Sequence, residues 1–388
     1  MVDLTNTQVA FSRYTDGRLN LAYYLFSLFR FKFIARMGPK VLNLLLRLRF
    51  PVISVVKRTM FRHFCGGQTI EECRSLVQEI SQNRVGAILD YSVEGKESEE
   101  GFDASAAEII RTVEESAGNE SIPFAVFKLS GICSLHVLEK LASQKALTQK
   151  EEQEWARSKI RCRNICKRAD ELGTSIFIDA EESWIQDPID ELTRELMLEF
   201  NRKRSCVFMT IQLYRKDRFA YVKQLYQFAE DKGILVGLKL VRGAYLEKEA
   251  IRAKRLGYEN PLHTNKEQCD RDYDLCLEYS LDRLDRFHIC VATHNEQSVL
   301  KLISRMKALG ISPDDGRVWS AQLLGMSDHI SFNIASAGYN TAKYVPYGPV
   351  KEVLPYLFRR AEENSSIQSQ SLREFELLYK ERLRRKNT

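Results

Sequence analysis

Ser175-Ile176-Phe177-Ile178-Asp179-Ala180 and Leu235-Val236-Gly237-Leu238-Lys239-Leu240-Val241 decide the fold. Each is a short, mostly apolar run without clean alternation, the pattern of a parallel strand covered on both faces, and each is followed by a longer polar stretch of helical period. The same unit recurs, with further candidate strands at 87–93, 124–129, 207–214, 289–295, 318–324 and 341–345. Eight β-then-α units in a row predict an α/β fold, a closed (βα)8 TIM-like barrel. An open doubly wound sheet would read similarly, but no GxGxxG or Walker fingerprint follows the first strand.

A chain of 388 residues with 44% hydrophobic content can bury one large core and a smaller attachment. The expected division is a basic helical region at 1–83, the barrel at 84–366 and a charged helical tail at 367–388. Nine cysteines occur singly, the closest pair being Cys162 and Cys166 at helical spacing. Without a CxxC pair they read as buried or idle thiols in a reducing compartment, and the expected location is cytoplasmic. The N-terminus lacks the features of a signal peptide, and no uninterrupted apolar stretch approaches the roughly 20 residues that cross a bilayer, so the chain reads as soluble.

Charge is unevenly spread. Residues 1–70 hold eleven Lys or Arg against two acids, a net of +9, whereas the whole chain is +6 and the remainder therefore −3. The cations alternate with Tyr23, Tyr24, Leu25, Phe26, Leu28, Phe29 and Phe31. A cationic amphipathic helix of this kind can lie on an anionic membrane surface, giving peripheral contact. It can equally form a helical collar with its apolar side packed on the main domain. Nucleic acid is not expected, since no binding motif accompanies the charge.

In a barrel, chemistry belongs at the C-terminal ends of the strands. Polar residues collect there: Lys128, Asp179 with Glu181 and Glu182, Gln212, Lys239 with Arg242, Thr293 with His294 and Asn295, Gln322, and Tyr344. Lys128, Asp179, Gln212 and Lys239 stand inside otherwise apolar strands, where an unpaired charge is costly, so a polar ligand or a ring of ion pairs must offset it. His294 has no HxH or HExxH partner, so no metal site is expected.

The segment 348–364 follows the eighth strand. Val350, Val353, Leu354, Leu357, Phe358 and Ala361 repeat at helical spacing on one face, with Tyr356, Arg359, Arg360 and Glu363 on another. Glu363 can pair with both arginines. The segment reads either as a solvated surface helix or as a clamp, because paired guanidinium groups suit a small carboxylate.

Tyr356-Leu357-Phe358-Arg359-Arg360-Ala361-Glu362-Glu363-Asn364 resembles the C-terminal signature of the proline dehydrogenase family. Other blocks agree in order: Phe127-Lys128-Leu129-Ser130, Ile178-Asp179-Ala180-Glu181-Glu182, Gln212-Leu213-Tyr214, Lys239-Leu240-Val241-Arg242-Gly243-Ala244-Tyr245, Ala292-Thr293-His294-Asn295, Gln322-Leu323-Leu324-Gly325-Met326 and Lys343-Tyr344-Val345-Pro346. The match spans roughly residues 84–366 and leaves 1–70 uncovered. After the signature the chain has no room for the aldehyde dehydrogenase domain of bifunctional members.

The resemblance implies oxidation of L-proline to Δ1-pyrroline-5-carboxylate by hydride transfer to FAD, with electrons passed to a membrane quinone. It implies that Arg359, Arg360 and Lys128 hold the substrate carboxylate, with Tyr344, Tyr356, Tyr245 and Leu323 around the ring. FAD would touch Ala180, Gln212, Arg242, Gly243, Ala244, Thr293 and His294. Asp179, beside Lys128, would order that lysine and the site. Lys239 stands where other members have Arg, keeping a cation near the flavin but not the planar fork. The last helix thus contributes to the active site. Two alternatives remain at this stage: a 4-hydroxyproline dehydrogenase, and a Schiff-base barrel lyase using Lys128 or Lys239, which would leave the arginine pair unexplained. A non-enzymatic scaffold would have no need for charges inside core strands.

Overall fold

The computed structural model describes residues 2–29, 52–93, 97–366 and 368–387. Eight parallel strands close into a barrel in the order of the chain: β1 (Gly86–Tyr91), β2 (Phe124–Lys128), β3 (Ser175–Asp179), β4 (Val207–Gln212), β5 (Val236–Val241), β6 (Phe287–Ala292), β7 (Val318–Leu323) and β8 (Thr341–Tyr347). The expected barrel is the observed one, with strand ends displaced by one to three residues. The chain divides into two compact units, Met1–Glu94 with Ala321–Thr388, and Gly95–Ser320.

In the second unit, β2 to β6 pair in simple parallel register, Lys128 opposite Asp179 and Thr210 opposite Lys239. Phe124, Phe177 and Phe208 fill the N-terminal end of these strands, with ring centroids 4.4–5.4 Å apart. Such apolar packing leaves polar side chains affordable only toward the opposite ends of the strands. The helices are α4 (Glu99–Ser116), α5 (Leu135–Ala142), α6 (Gln149–Glu171), α7 (Ser183–Phe200), α8 (Arg218–Lys232), α9 (Leu246–Leu256), α10 (Lys266–Leu281) and α11 (Glu296–Ala308). The 23-residue α6 is mostly polar. It starts on a Thr148–Glu151 capping box and buries Ser158, Arg161, Cys162, Ile165, Cys166 and Ala169 at spacings of three and four.

The first unit contains β1 paired with β8, together with α1 (Thr7–Ala10), α2 (Asp16–Phe29), helical turns at 52–64 and α3 (Ile70–Ser81). Its C-terminal part adds α12 (Asp328–Ser336), α13 (Leu354–Ser366) and α14 (Gln368–Lys386). Phe11, Leu19, Phe26, Phe64, Val353 and Leu357 belong to one buried apolar cluster in this unit. The described part of the N-terminal arm is therefore a packed collar, although Tyr24 and Leu28 on α2 remain exposed. Six of the eleven arm cations (Arg30, Lys32, Arg36, Lys40, Arg47 and Arg49) lie outside the described residues, as does Phe31. All nine cysteines are buried and free.

Candidate active site

In the second unit the expected charges meet at the strand ends. Lys239 is buried on β5 and forms an ion pair with Asp179 on β3. Its ammonium stands 5.4 Å from the centroid of Phe177, and Thr210 donates to the same carboxylate at 3.3 Å. The partner shown for Asp179 is thus two strands away, while Lys128 occupies the register position beside it on β2. This distribution offsets the cost of a buried ammonium by pairing and hydrogen bonding together.

Arg242, one residue beyond β5, is held at all three guanidinium nitrogens: Nε to Asp270 at 2.6 Å, Nη1 to Thr293 Oγ1 at 2.7 Å and Nη2 to Ser298 Oγ at 3.0 Å. It also lies 4.2 Å over the Tyr273 ring. Gly243 follows at φ +142°, and a Cβ there would meet the Tyr214 ring at 2.5 Å, so only glycine allows this approach. Ala244 is exposed and Tyr245 caps the start of α9, its ring 5.3 Å from the Lys248 ammonium. Ala180 and His294 are half-buried, and Thr293 is buried. Gln212 Nε2 donates to the Glu181 carbonyl at 2.6 Å.

A guanidinium, an ammonium, an amide and a hydroxyl thus gather at neighbouring strand ends, a cationic and hydrogen-bonding set of the kind that suits a polyanionic group.

The first unit carries the remaining candidates. Leu323 ends β7, Tyr344 is buried on β8, and the two are joined where Leu324 N–H donates to the Tyr344 carbonyl at 2.9 Å. On α13, Tyr356 and Arg360 are each only 6% exposed, and the Arg360 guanidinium lies 5.0 Å over the phenol ring. Arg359 is half-buried. Two of the four residues of the polar face expected on this helix are therefore buried. The helix begins at Leu354, so Val350 and Val353 pack from the turn before it. The Glu363 side chain lies outside the described side chains.

Two features escaped sequence reading. Lys343 on β8 is fully buried, and its ammonium donates to Met326 O at 2.6 Å and to Leu323 O at 3.4 Å. It also pairs with Asp328 at 2.7 Å. Asp328 is shared with buried Arg13 at 3.0 Å; burial opposes its ionisation, but Lys343 and Arg13 hold the carboxyl well below the usual range. Nearby, His63 Nε2 donates to the Gly325 carbonyl at 2.9 Å. The second feature is Glu181, a buried carboxyl bonded to Ser130. Sequence placed it at a strand end but could not separate it from Glu182, because burial of one acid and not its neighbour depends on tertiary packing.

Residues 73–373 match the family model described as proline dehydrogenase. The chain is 35% identical over 376 residues to the carbapenem antibiotics biosynthesis protein CarD of Pectobacterium carotovorum, covering 97% of this chain and 96% of that one. It is 44% identical over 254 residues to human mitochondrial proline dehydrogenase 1, covering 65% of this chain and 42% of the human one. This chain thus spans well under half of the human relative's length. A solved proline utilization A chain from Bdellovibrio bacteriovorus shares the fold with a TM-score of 0.74 at 24% identity, over 84% of this chain and 36% of that one. With most of its length matched by the family model, the chain belongs to the proline dehydrogenase family.

Proposed function

We propose that the chain oxidises L-proline to Δ1-pyrroline-5-carboxylate with FAD as cofactor and a quinone as onward acceptor, the first step of proline catabolism. The observation that carries this reading is the adjacent guanidinium pair of α13, with Arg360 enclosed over Tyr356, because a planar double fork matches a small carboxylate.

FAD, when bound, supplies the hydride acceptor. Arg359, Arg360 and Lys128 take the carboxylate and fix the ring, while Tyr245, Leu323, Tyr344 and Tyr356 wall it and exclude water. Lys239, held by Asp179, keeps a fixed positive charge at the end of β5, complementary to negative charge developing nearby. Ala180, Gln212, Arg242, Gly243, Ala244, Thr293 and His294 hold the cofactor. The ring nitrogen must be neutral to push electron density toward the departing hydride, so the rate rises with pH. The test is product identification: protein incubated with FAD, a soluble quinone and L-proline should yield the cyclic imine, two hydrogens lighter than the substrate. Recovery of unchanged proline would refute the reading.

The setting we infer is the cytoplasm, with peripheral membrane contact through 1–70. Two observations support it: the arm's net charge, and the lack of any helix among the described residues long and apolar enough to cross a membrane.

A further inference from the structure

Glu181 lies in the turn between β3 and α7, only 3% exposed. Both carboxyl oxygens face Ser130, two residues beyond Lys128. The Ser130 N–H donates to Oε1 at 2.9 Å, and its hydroxyl donates to Oε2. The backbone of Glu181 is fixed on both sides. Its N–H donates to Gln186 Oε1 at 2.8 Å, and its carbonyl accepts from Gln212 at 2.6 Å. Gln186 is itself held by Asp190 at 2.7 Å, and Asp190 by buried Arg218 at 2.6 Å. A chain of bonds thus runs from α8 through α7 to the backbone of Glu181, whose carboxyl grips the segment leaving β2.

We propose that Glu181 is a positioning residue for the substrate carboxylate: through Ser130 it fixes the start of the loop after β2, and with it the reach of Lys128. This rests on the assignment of Lys128 as a carboxylate-binding cation. An ionised carboxyl accepts both Ser130 bonds and draws on the Lys128 charge, whereas a protonated one must donate to the Ser130 hydroxyl and loses that attraction to Lys128. Burial pushes the Glu181 carboxyl up to about 7, against the pull of the Ser130 hydrogen bonds and the Lys128 charge. The other titratable groups facing it are Glu182 beside it, which raises it further, and the Cys133 thiol in the loop after β2. Arg161 on α6 acts on the same Cys133. Gln186 and Gln212, the contacts from α7 and β4, are neutral. The hold is therefore complete above about pH 7 and weakens below it.

The experiment uses FAD-loaded protein in three forms: wild type, Glu181→Gln and Ser130→Ala. Cyclopentanecarboxylate, which has the ring and carboxylate but no oxidisable amine, is titrated calorimetrically between about pH 6 and about pH 8, and KM and kcat for L-proline are measured alongside. In the wild type, affinity for the analogue should rise roughly fivefold across that range, the equivalent of one hydrogen bond. In Glu181→Gln and Ser130→Ala the rise should vanish, with KM increased by a similar factor and kcat nearly unchanged. A wild-type profile retained in both variants overturns the inference while leaving the functional reading intact. Equal losses in kcat and stability without a KM shift also overturn it. A wild type that neither binds the analogue nor oxidises proline overturns the functional reading and this inference with it.

Discussion

At the scale of single residues, Tyr344 and Lys343 sit side by side on β8 and face different tasks. Tyr344, buried and tied to the Leu323 turn, should fill the space that a 4-hydroxyl on the substrate ring would need. Tyr344→Ser should lower kcat/KM for L-proline and shift the preference toward trans-4-hydroxy-L-proline by roughly ten- to two-hundred-fold, the usual reach of one misplaced group in a tight pocket. Paired assays on the two substrates check this, and an unchanged ratio would remove Tyr344 as the discriminating wall. Arg360→Lys should weaken both substrates together, because the carboxylate is common to them. Lys343 is structural. Lys343→Met leaves Asp328 buried with Arg13 as its remaining strong cation, and should cost about 3–5 kcal/mol in urea unfolding. Adding Asp328→Asn should recover part of that loss. Lys128, Asp179, Gln212 and Lys239 were legible as polar positions that break apolar runs, whereas Ala180, Gly243, Ala244, Tyr245 and Leu323 rested on the family resemblance alone. Pairing was not legible. Asp179 forms an ion pair with Lys239 two strands away, which a reading of single strands does not reveal. The fully buried Lys343 stood only inside a block of the family resemblance, with no role of its own.

Among the elements, the eight strands were legible because each apolar run is long enough to be covered on both faces, and the errors at their ends have local causes. β6 starts at Phe287, two residues before the expected position, because His288 interrupts the apolar run while backbone pairing of Val236 with Phe287 is indifferent to it. It stops at Ala292 because Asn295 leaves to cap α11, its Oδ1 accepting from the Gln297 and Ser298 amides at 2.8 and 3.2 Å. β8 runs on through Pro346, where pattern reading stops, because proline's carbonyl still accepts from Gly66 N–H at 2.9 Å. The helical turn at 62–64 carries a pH-sensitive contact to the turn after β7. Burial pushes His63 down to about 4 against the attraction of Asp328, and Gly325 packs so closely that a Cβ would meet the His63 carbonyl at 2.5 Å. The folded state therefore refuses a proton that the unfolded chain takes near pH 6.5. Its stabilising contribution is complete above that value and is lost as pH falls toward about 4, on the order of 3 kcal/mol from this group. His63→Gln should flatten the pH dependence of the urea midpoint over that window. A slope identical to wild type would show that His63 is not its source.

For the whole molecule, the open question is what the basic N-terminal segment does besides packing. Removing residues 1–70 is a poor test, because α2 supplies Leu19 and Phe26 to a buried cluster, and the turn before it supplies Phe11 to that cluster and Arg13 to the Asp328 pair. Neutralising Arg30, Lys32, Arg36, Lys40, Arg47 and Arg49 to glutamine leaves those contacts in place. If the segment meets anionic lipid, wild-type binding to phosphatidylserine-containing vesicles should fall with salt, and the neutralised form should bind weakly at every salt concentration. Equal binding by both would refute lipid contact through these cations. The larger claim is that the chain oxidises L-proline with a bound flavin. It is tested most directly by the anaerobic absorbance spectrum of the purified, FAD-incubated protein. L-proline should bleach the flavin band at roughly 450 nm without added NAD. A protein that stays colourless after incubation with FAD, or a flavin band that L-proline leaves unchanged, would contradict the account.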